Sequence, residues 1–163
     1  MRHYHSLIPA DKPNREEFIK MWNGYIEQSL QDDLGFNMAK VYLDPPRSEF
    51  FVAVRDGDVL GIVGAEAKDE DEIELRRMSV AAAARGLGLG SQLVARVEEH
   101  AREHSFARVM LSTGNNMDLA LGLYRSCGYV ETPEGKKWDE DSEGDDGGVV
   151  FIKEIWPKTG AKL

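Results

Sequence analysis

EIELRRMSVAAAARGLGLGSQLVARVEEHAREH, residues 72–104, changes its period in mid-course. Residues 72–80 read as a strand, but with a break. Ile73 and Leu75 share one face, whereas Met78 and Val80 fall on the opposite parity. A β-bulge near Arg76-Arg77 would return the apolar set to one face. A strand buried on both faces would give the same pattern. Arg85-Gly86-Leu87-Gly88-Leu89-Gly90 then forms a glycine-rich turn. Beyond it Leu93, Val94, Val97, Ala101 and His104 recur at spacings near three and four, which predicts a helix over 88–104.

The flanks extend this unit. Upstream, FFVAV (50–54) and VLGIVGAEA (59–67) are strands joined by Arg55-Asp56-Gly57-Asp58, a tight hairpin turn. A turn at Asp69 to Asp71 leads into 72–80, completing an antiparallel meander. Asn14 is placed to cap a helix over 14–28, with Glu16 and Glu17 in its first turn. Residues 3–8 read as a first strand. Residues 29–47 read as irregular or weakly helical, ended by Pro45-Pro46. Downstream, 107–113 is a strand and 118–127 a short helix stopped by Gly128. Residues 129–138 and 148–155 complete the set as two strands. A helix between strands 72–80 and 107–113 implies a parallel crossover. The expectation is one α/β (α+β) domain over 1–163, with a mixed, mostly antiparallel central sheet and helices on both faces.

Composition narrows the function. The 163 residues are 42% hydrophobic and 30% charged, as expected of a globular chain. The net charge of −9 owes most to six acids in the run DEDSEGDD, residues 139–146. No clustered lysines and arginines offer a phosphate-neutralising surface, so no nucleic-acid partner is expected. No apolar run approaches the roughly 18 residues of a membrane span. MRHYHSLIPADKPN at the start has no apolar core of a secretory signal. The single Cys127 excludes an internal disulfide and makes a reducing cytoplasm the default location.

The glycine turn carries the first chemical signal. Successive glycines let backbone N–H groups converge, and the helix start adds free donors and partial positive charge. Such a turn suits a phosphate or pyrophosphate, with Arg85 adding a charge-assisted bond. Packing of a glycine-rich helix start is the alternative. No lysine follows, which excludes a Walker A loop, and Gly-x-Gly-x-Gly is not the dinucleotide fingerprint. His100-Ala101-Arg102-Glu103-His104 spells an inverted zinc-protease motif, but no third ligand stands out and no metal is expected.

Arg85-x-x-Gly88-x-Gly90, after ELRRMSV, resembles motif A of the GCN5-related N-acetyltransferase superfamily. NMDLALGLYRSCGY (116–129) resembles its helix–strand motif B, with Ala120, Leu123, Tyr124, Gly128 and Tyr129 at the family spacing. The resemblance covers roughly 49–155 well. It is loose over 1–48, which in this family shapes the acceptor site. It implies that acetyl-coenzyme A lies in a wedge between two splayed parallel strands, 72–80 and 107–113. The pyrophosphate would rest on Gly86, Leu87, Gly88, Gly90 and Ser91, and Asn115 or Asn116 would contact the same molecule. Main-chain groups of Met78 and Val80 would pair with the pantetheine arm, and the bulge would free an amide, that of Met78, to polarise the thioester carbonyl.

The resemblance further implies direct attack of a primary amine on the acetyl carbon. Tyr124 matches the family's general acid; a core aromatic at helical spacing is the other reading. Glu74 resembles the glutamate that deprotonates an amine through water, in apolar surroundings that raise its pKa. The other reading is a surface glutamate paired with Arg76. Asn115 and Asn116 equally suit the N-cap of the helix at 118. A catalytically silent acyl-CoA-binding module and a nucleotide-phosphate module are the competing functions. Trp22, Tyr25, Asp32, Asp33 and Tyr42 are expected to line the acceptor site. Their acids suit a small cationic amine, and a protein lysine or N-terminal amine fits as well. The edge at 147–155 leaves both monomer and homodimer open.

Overall fold

The computed structural model describes residues 14–115, 117–132 and 148–156. Helix α1 spans Arg15–Gln31 and runs into two π-helical turns, Asp32–Phe36 and Ala39–Leu43. The strands are β1 (Glu49–Arg55), β2 (Asp58–Ala67) and β3 (Glu72–Val80). A 3₁₀ turn at Ala82–Ala84 leads to α2 (Leu89–Glu103), followed by β4 (Arg108–Gly114) and α3 (Asp118–Ser126). Short β5 (Val130–Thr132) and β6 (Gly148–Glu154) complete the set. The six strands form one sheet in the order β1-β2-β3-β4-β6-β5, antiparallel except for β3 beside β4. This is the mixed sheet the sequence predicts.

Local chemistry sets the turns. Asp56 and Gly57 have φ of 54° and 87°, the pair of left-handed residues that a two-residue hairpin requires. Asp69 Oδ1 accepts the amides of Asp71 and Glu72 at 2.8 and 2.7 Å, closing the next turn. At the end of α3 the Gly128 amide donates to Arg125 and the Tyr129 amide to Tyr124, at 3.0 and 3.1 Å. With Gly128 at φ 85°, this is a Schellman motif. Its accompanying apolar contact is Tyr129 against Tyr124, with ring centroids 6.1 Å apart.

Some expectations change. Asn14 precedes α1 but makes no side-chain cap bond. The helix at 118 is preceded by Met117, again without a side-chain cap, so Asn115 does not cap it. On α2 it is His100 that is buried among the stripe, with His104 only half-buried at the helix end. Among the described residues, strand β6 pairs with β4 along its length on one side and with β5 at Val150–Ile152 on the other. Residues 3–8, Asn116, most of 129–138 and the acidic run 139–146 lie outside the described residues, as do the side chains of Trp22 and Tyr25.

The sheet is covered on both faces. Val63, Ala65, Ile73, Leu75, Val109, Leu111 and Phe151 meet Leu93, Val94, Val97 and Ala101 of α2 in the core. A Cβ on Gly61 would stand 2.9 Å from Leu93 Cδ1, which shows how closely α2 rests on β2. Gly64, of opposite parity, faces the π-helical turns, and a Cβ there would stand 2.6 Å from Tyr42 Cε1. Tyr42 is fully buried, so its ring has little room to yield. Gly64→Ala is therefore expected to cost about 1–3 kcal/mol by overpacking, lowering Tm by roughly 2–4 °C per kcal/mol in a thermal melt. An unchanged melt would mean that the Tyr42 ring is not held against the sheet.

Arg47 ties the segment after the π-helical turns to the end of α2. At φ 72° it donates to the carbonyls of Glu70 and His104, both at 2.9 Å, and its guanidinium lies 3.9 Å from the Phe106 ring centroid. The Arg47 carbonyl bonds His100 Nε2 at 2.9 Å. His104 Nδ1 bonds the His100 carbonyl at 3.0 Å. His100, Glu103 and His104 bring their ligand atoms within 4.8 Å of one another. Burial pushes the His100 imidazole down from its ordinary value.

Candidate active site

The parallel contact is short. β3 and β4 pair at Glu72–Arg108, Ile73–Val109 and Glu74–Met110. From there β3 follows β2 as far as Val80–Gly61, while β4 follows β6 as far as Gly114–Gly148. The sheet opens into a V lined by two strand edges that no longer pair with each other. The Ala81 amide donates to Leu60 at 2.8 Å. Alternation along the ladder then turns the main-chain groups of Val80, and the Met78 carbonyl two residues earlier, toward the gap. Backbone groups so placed call for a partner, and an extended ligand supplies one.

Beside the gap the β2–β3 register slips. Ile62 faces Ser79 but Gly64 faces Arg76, so Val63 opposes both Arg77 and Met78. This is the bulge suggested by the parity break, and it returns Met78 and Val80 to the core side, where both pack. Arg77 carries it with φ 53°. A left-handed conformation costs a residue with a Cβ roughly 1–2 kcal/mol, and the Arg77 side chain supplies compensating bonds. Nε donates to Asp33 Oδ2 at 2.8 Å and Nη1 to Ser29 Oγ at 2.6 Å. The Tyr42 hydroxyl donates to the same Asp33 oxygen at 3.0 Å, and Arg76 Nη2 lies 3.5 Å from it.

Asp33 is 2% exposed. Burial pushes its carboxyl up, but the bonds from Arg77 and Tyr42 and the two guanidinium charges outweigh this and hold it below the usual carboxylate value. Burial and the Asp33 charge push the Tyr42 phenol up, so it stays a donor. Arg76 also pairs with Glu66, and Lys68 lies 3.3 Å from both Glu66 and Glu74. Lys68, Arg76 and Arg77 thus balance Asp33, Glu66 and Glu74.

The glycine turn closes one end of the V. Gly86 and Gly88 have φ of 72° and 80°, and a Cβ on either would meet nothing within 4 Å. These glycines are needed for backbone conformation, and the space above them is open. Gly88 precedes α2 without a side-chain cap. The amides of Leu89, Gly90 and Ser91 in the first turn lack intrahelical acceptors and sit at the positive end of the helix. An anion is the fitting ligand. A Cβ on Gly90 would lie 3.1 Å from Leu123 Cδ2, so the turn rests against α3, which carries Tyr124.

A split parallel pair, a bulged strand and an anion-ready helix start in one sheet agree with the family comparison. Residues 13–129 match the model of the Acetyltransferase (GNAT) family. The chain belongs to this family. Rat N-acetylaspartate synthetase is 42% identical over 106 residues, 64% of this chain and 35% of that protein. Human N-acetyltransferase 8B is 35% identical over 118 residues, 69% of this chain and 52% of that protein. The chain spans about half or less of the length of these relatives. Among solved structures, a GNAT-family acetyltransferase from Staphylococcus aureus Mu50 superposes with a TM-score of 0.67 at 21% identity, covering 80% of this chain and 79% of that one. A GNAT-family acetyltransferase from Elizabethkingia anophelis with acetyl-CoA bound gives a TM-score of 0.60 at 18% identity, covering 90% and 94%.

The GNAT motifs can now be located residue by residue. Gly86, Leu87, Gly88, Gly90 and Ser91 lie together at the start of α2, with Leu87 and Ser91 exposed. Arg85 folds back, and its Nε donates to the Val80 carbonyl at 3.2 Å. That bond already meets one of the main-chain groups turned toward the gap. Tyr124 is 6% exposed and packs near Phe151, with ring centroids 6.0 Å apart. Cys127 is a partly buried thiol packed on the core.

Two site expectations need correction. Glu74 is buried, but its carboxylate lies between Lys68 and Arg76, at 3.3 and 3.9 Å, rather than in apolar surroundings. Asp33 and Tyr42 do not present themselves to an acceptor; they are buried and bound to the bulge. The sequence reading passed over Ser29 and the Arg77 side chain as parts of this cluster. The parity break beside Arg77 was the signal available.

Proposed function

We propose that this chain transfers the acetyl group of acetyl-CoA to the nitrogen of a primary amine. The observation that carries the reading is the V between β3 and β4, ended by the open glycine turn of Gly86 and Gly88. Acetyl-CoA supplies an activated thioester when bound. The amides from Gly86 to Ser91 hold its pyrophosphate, and Met78 and Val80 align the pantetheine arm. The Met78 amide stabilises negative charge on the carbonyl oxygen as the amine attacks. As the C–N bond forms and the C–S bond breaks, Tyr124 protonates the departing sulfur. Glu74 passes the ammonium proton out through water.

The acceptor best supported is a small amine of the amino-acid kind. The name N-acetylaspartate synthetase, carried by a relative, specifies such an amine. The cluster of balanced charges beside the bulge gives no excess of acid to select a cation. A peptide amine is the alternative acceptor. The reading places the protein in the cytoplasm, without nucleic-acid or metal partners.

The test compares the melting of wild type and Gly88→Glu with acetyl-CoA, CoA and ATP, followed by acetyl-CoA consumption with a panel of amino acids and peptides. At about 100 times its dissociation constant, a ligand specific to the native state adds roughly 2.7 kcal/mol. Gly88→Glu puts a carboxylate where the pyrophosphate sits and a side chain at a left-handed residue. It is expected to lose that stabilisation while still folding. Stabilisation by ATP alone, or none by either coenzyme A species, would sink the proposal. Binding without turnover of any amine would favour a silent acyl-CoA-binding module.

A further inference from the structure

The Asp33 cluster joins two parts of the molecule that the sequence separates. Ser29 lies in the last turn of α1, Asp33 and Tyr42 lie on the two π-helical turns, and Arg77 is the left-handed residue of the β3 bulge. The three partners converge on the guanidinium of Arg77 or on the carboxylate that holds it. Tyr42 also lies flat enough on Gly64 to exclude a Cβ, and Gly64 borders the register slip. The residue after Arg77 is Met78, whose amide is the one assigned above to the thioester carbonyl.

We infer that Asp33 is a positioning residue for acetyl transfer, clamping Arg77 and thereby fixing the direction of the Met78 amide. This rests on the acetyltransferase reading above. Asp33 touches neither the thioester nor the amine in this account. Its effect runs through one side chain into one peptide group. A buried carboxylate is needed because its charge-assisted bonds to Arg77 are stronger than neutral ones, and a strained backbone persists only where its surroundings over-determine it. The same contact makes the bulge sensitive to α1 and the π-helical turns, so movement there is transmitted to the amide.

Two variants separate this role from mere support of the fold. Asp33→Asn keeps the shape and removes the charge. Arg77→Gly removes the clamp but puts glycine where φ is 53°, so the bulge itself is relieved rather than strained. Both are expected to lower kcat by roughly 10- to 100-fold, the penalty of a small misplacement at the reacting centre. The acetyl-CoA dissociation constant should stay within about threefold of wild type, because the glycine turn is untouched. With acetyl-CoA bound, hydrogen exchange at the Met78 amide should accelerate in both. If Asp33→Asn does not fold, Arg77→Gly carries the test alone. Full kcat in a folded Arg77→Gly, or unchanged Met78 exchange, overturns the proposal. A wild type that consumes no acetyl-CoA with any amine overturns the acetyltransferase reading instead, and is told apart because failure of the clamp alone leaves wild type and variants equally active.

Discussion

Lys153→Met is expected to destabilise the fold by about 3 kcal/mol, near the lower end for removing one partner of a buried ion pair. Glu98 lies on the inner face of α2 and is 6% exposed. Its two oxygens accept from Lys153 Nζ at 2.8 and 2.9 Å, and the same ammonium donates to the Cys127 carbonyl at 2.8 Å. One cation on β6 therefore serves a carboxylate on α2 and a carbonyl at the negative end of α3. Its loss leaves Glu98 with Arg102 at 3.3 Å, a longer contact from a half-exposed side chain, which is why the lower figure applies. Urea titration gives the free energy, and Tm should fall by roughly 2–4 °C per kcal/mol. Glu98→Leu combined with Lys153→Met should recover most of the loss, since an apolar pair of similar volume is often neutral or better. A single variant within about 0.5 kcal/mol of wild type would mean that Arg102 alone neutralises Glu98.

This pair marks the boundary of what the sequence makes legible. Elements governed by neighbours in the chain are readable: the Asp56-Gly57 hairpin, the stop at Gly128 and the glycine turn all depend on backbone preferences of single residues. Even the bulge leaves a trace, because an inserted residue shifts parity along the strand. Glu98 and Lys153 are 55 residues apart, and nothing in the apolar spacing of α2 announces that its buried face includes a carboxylate. Asp33 and Arg77 are 44 apart, and there the reading fails in an instructive direction. A charged residue in an acceptor-side loop suggests a substrate contact. The same charge is in fact consumed by the scaffold.

The surroundings of Glu74 and the cap before α3 escape the sequence for a related reason. Glu74 looks isolated among apolar neighbours along β3, but across the sheet it faces Glu66, and both carboxylates share Lys68 and Arg76. Cross-strand neighbours define the environment of a strand residue more than sequence neighbours do. The chain reversal before α3 likewise puts Met117, not an asparagine, at the cap position.

Tyr124→Phe is expected to lower kcat by about 10²- to 10⁴-fold, the usual contribution of a general acid, with a much smaller effect on stability. The proposed role sets two demands on this residue. Its ring is the apolar partner of Tyr129 in the Schellman motif and lies near Phe151, so the aromatic body is structural. Its hydroxyl belongs to a helix that abuts the glycine turn through Leu123 and Gly90, so the chemical role requires only the polar tip. Phenylalanine separates the two, because it keeps the ring and removes the proton. Alanine would not, since emptying a buried aromatic site costs roughly 3–5 kcal/mol and confuses folding with catalysis. The measurement is steady-state acetyl-CoA consumption at saturating amine beside a thermal melt. A kcat within about threefold of wild type, with the melt preserved, would leave Tyr124 as packing alone and transfer protonation of the sulfur to water. A large loss of kcat with the melt preserved would show that one aromatic side chain both ends the helix and serves the reaction.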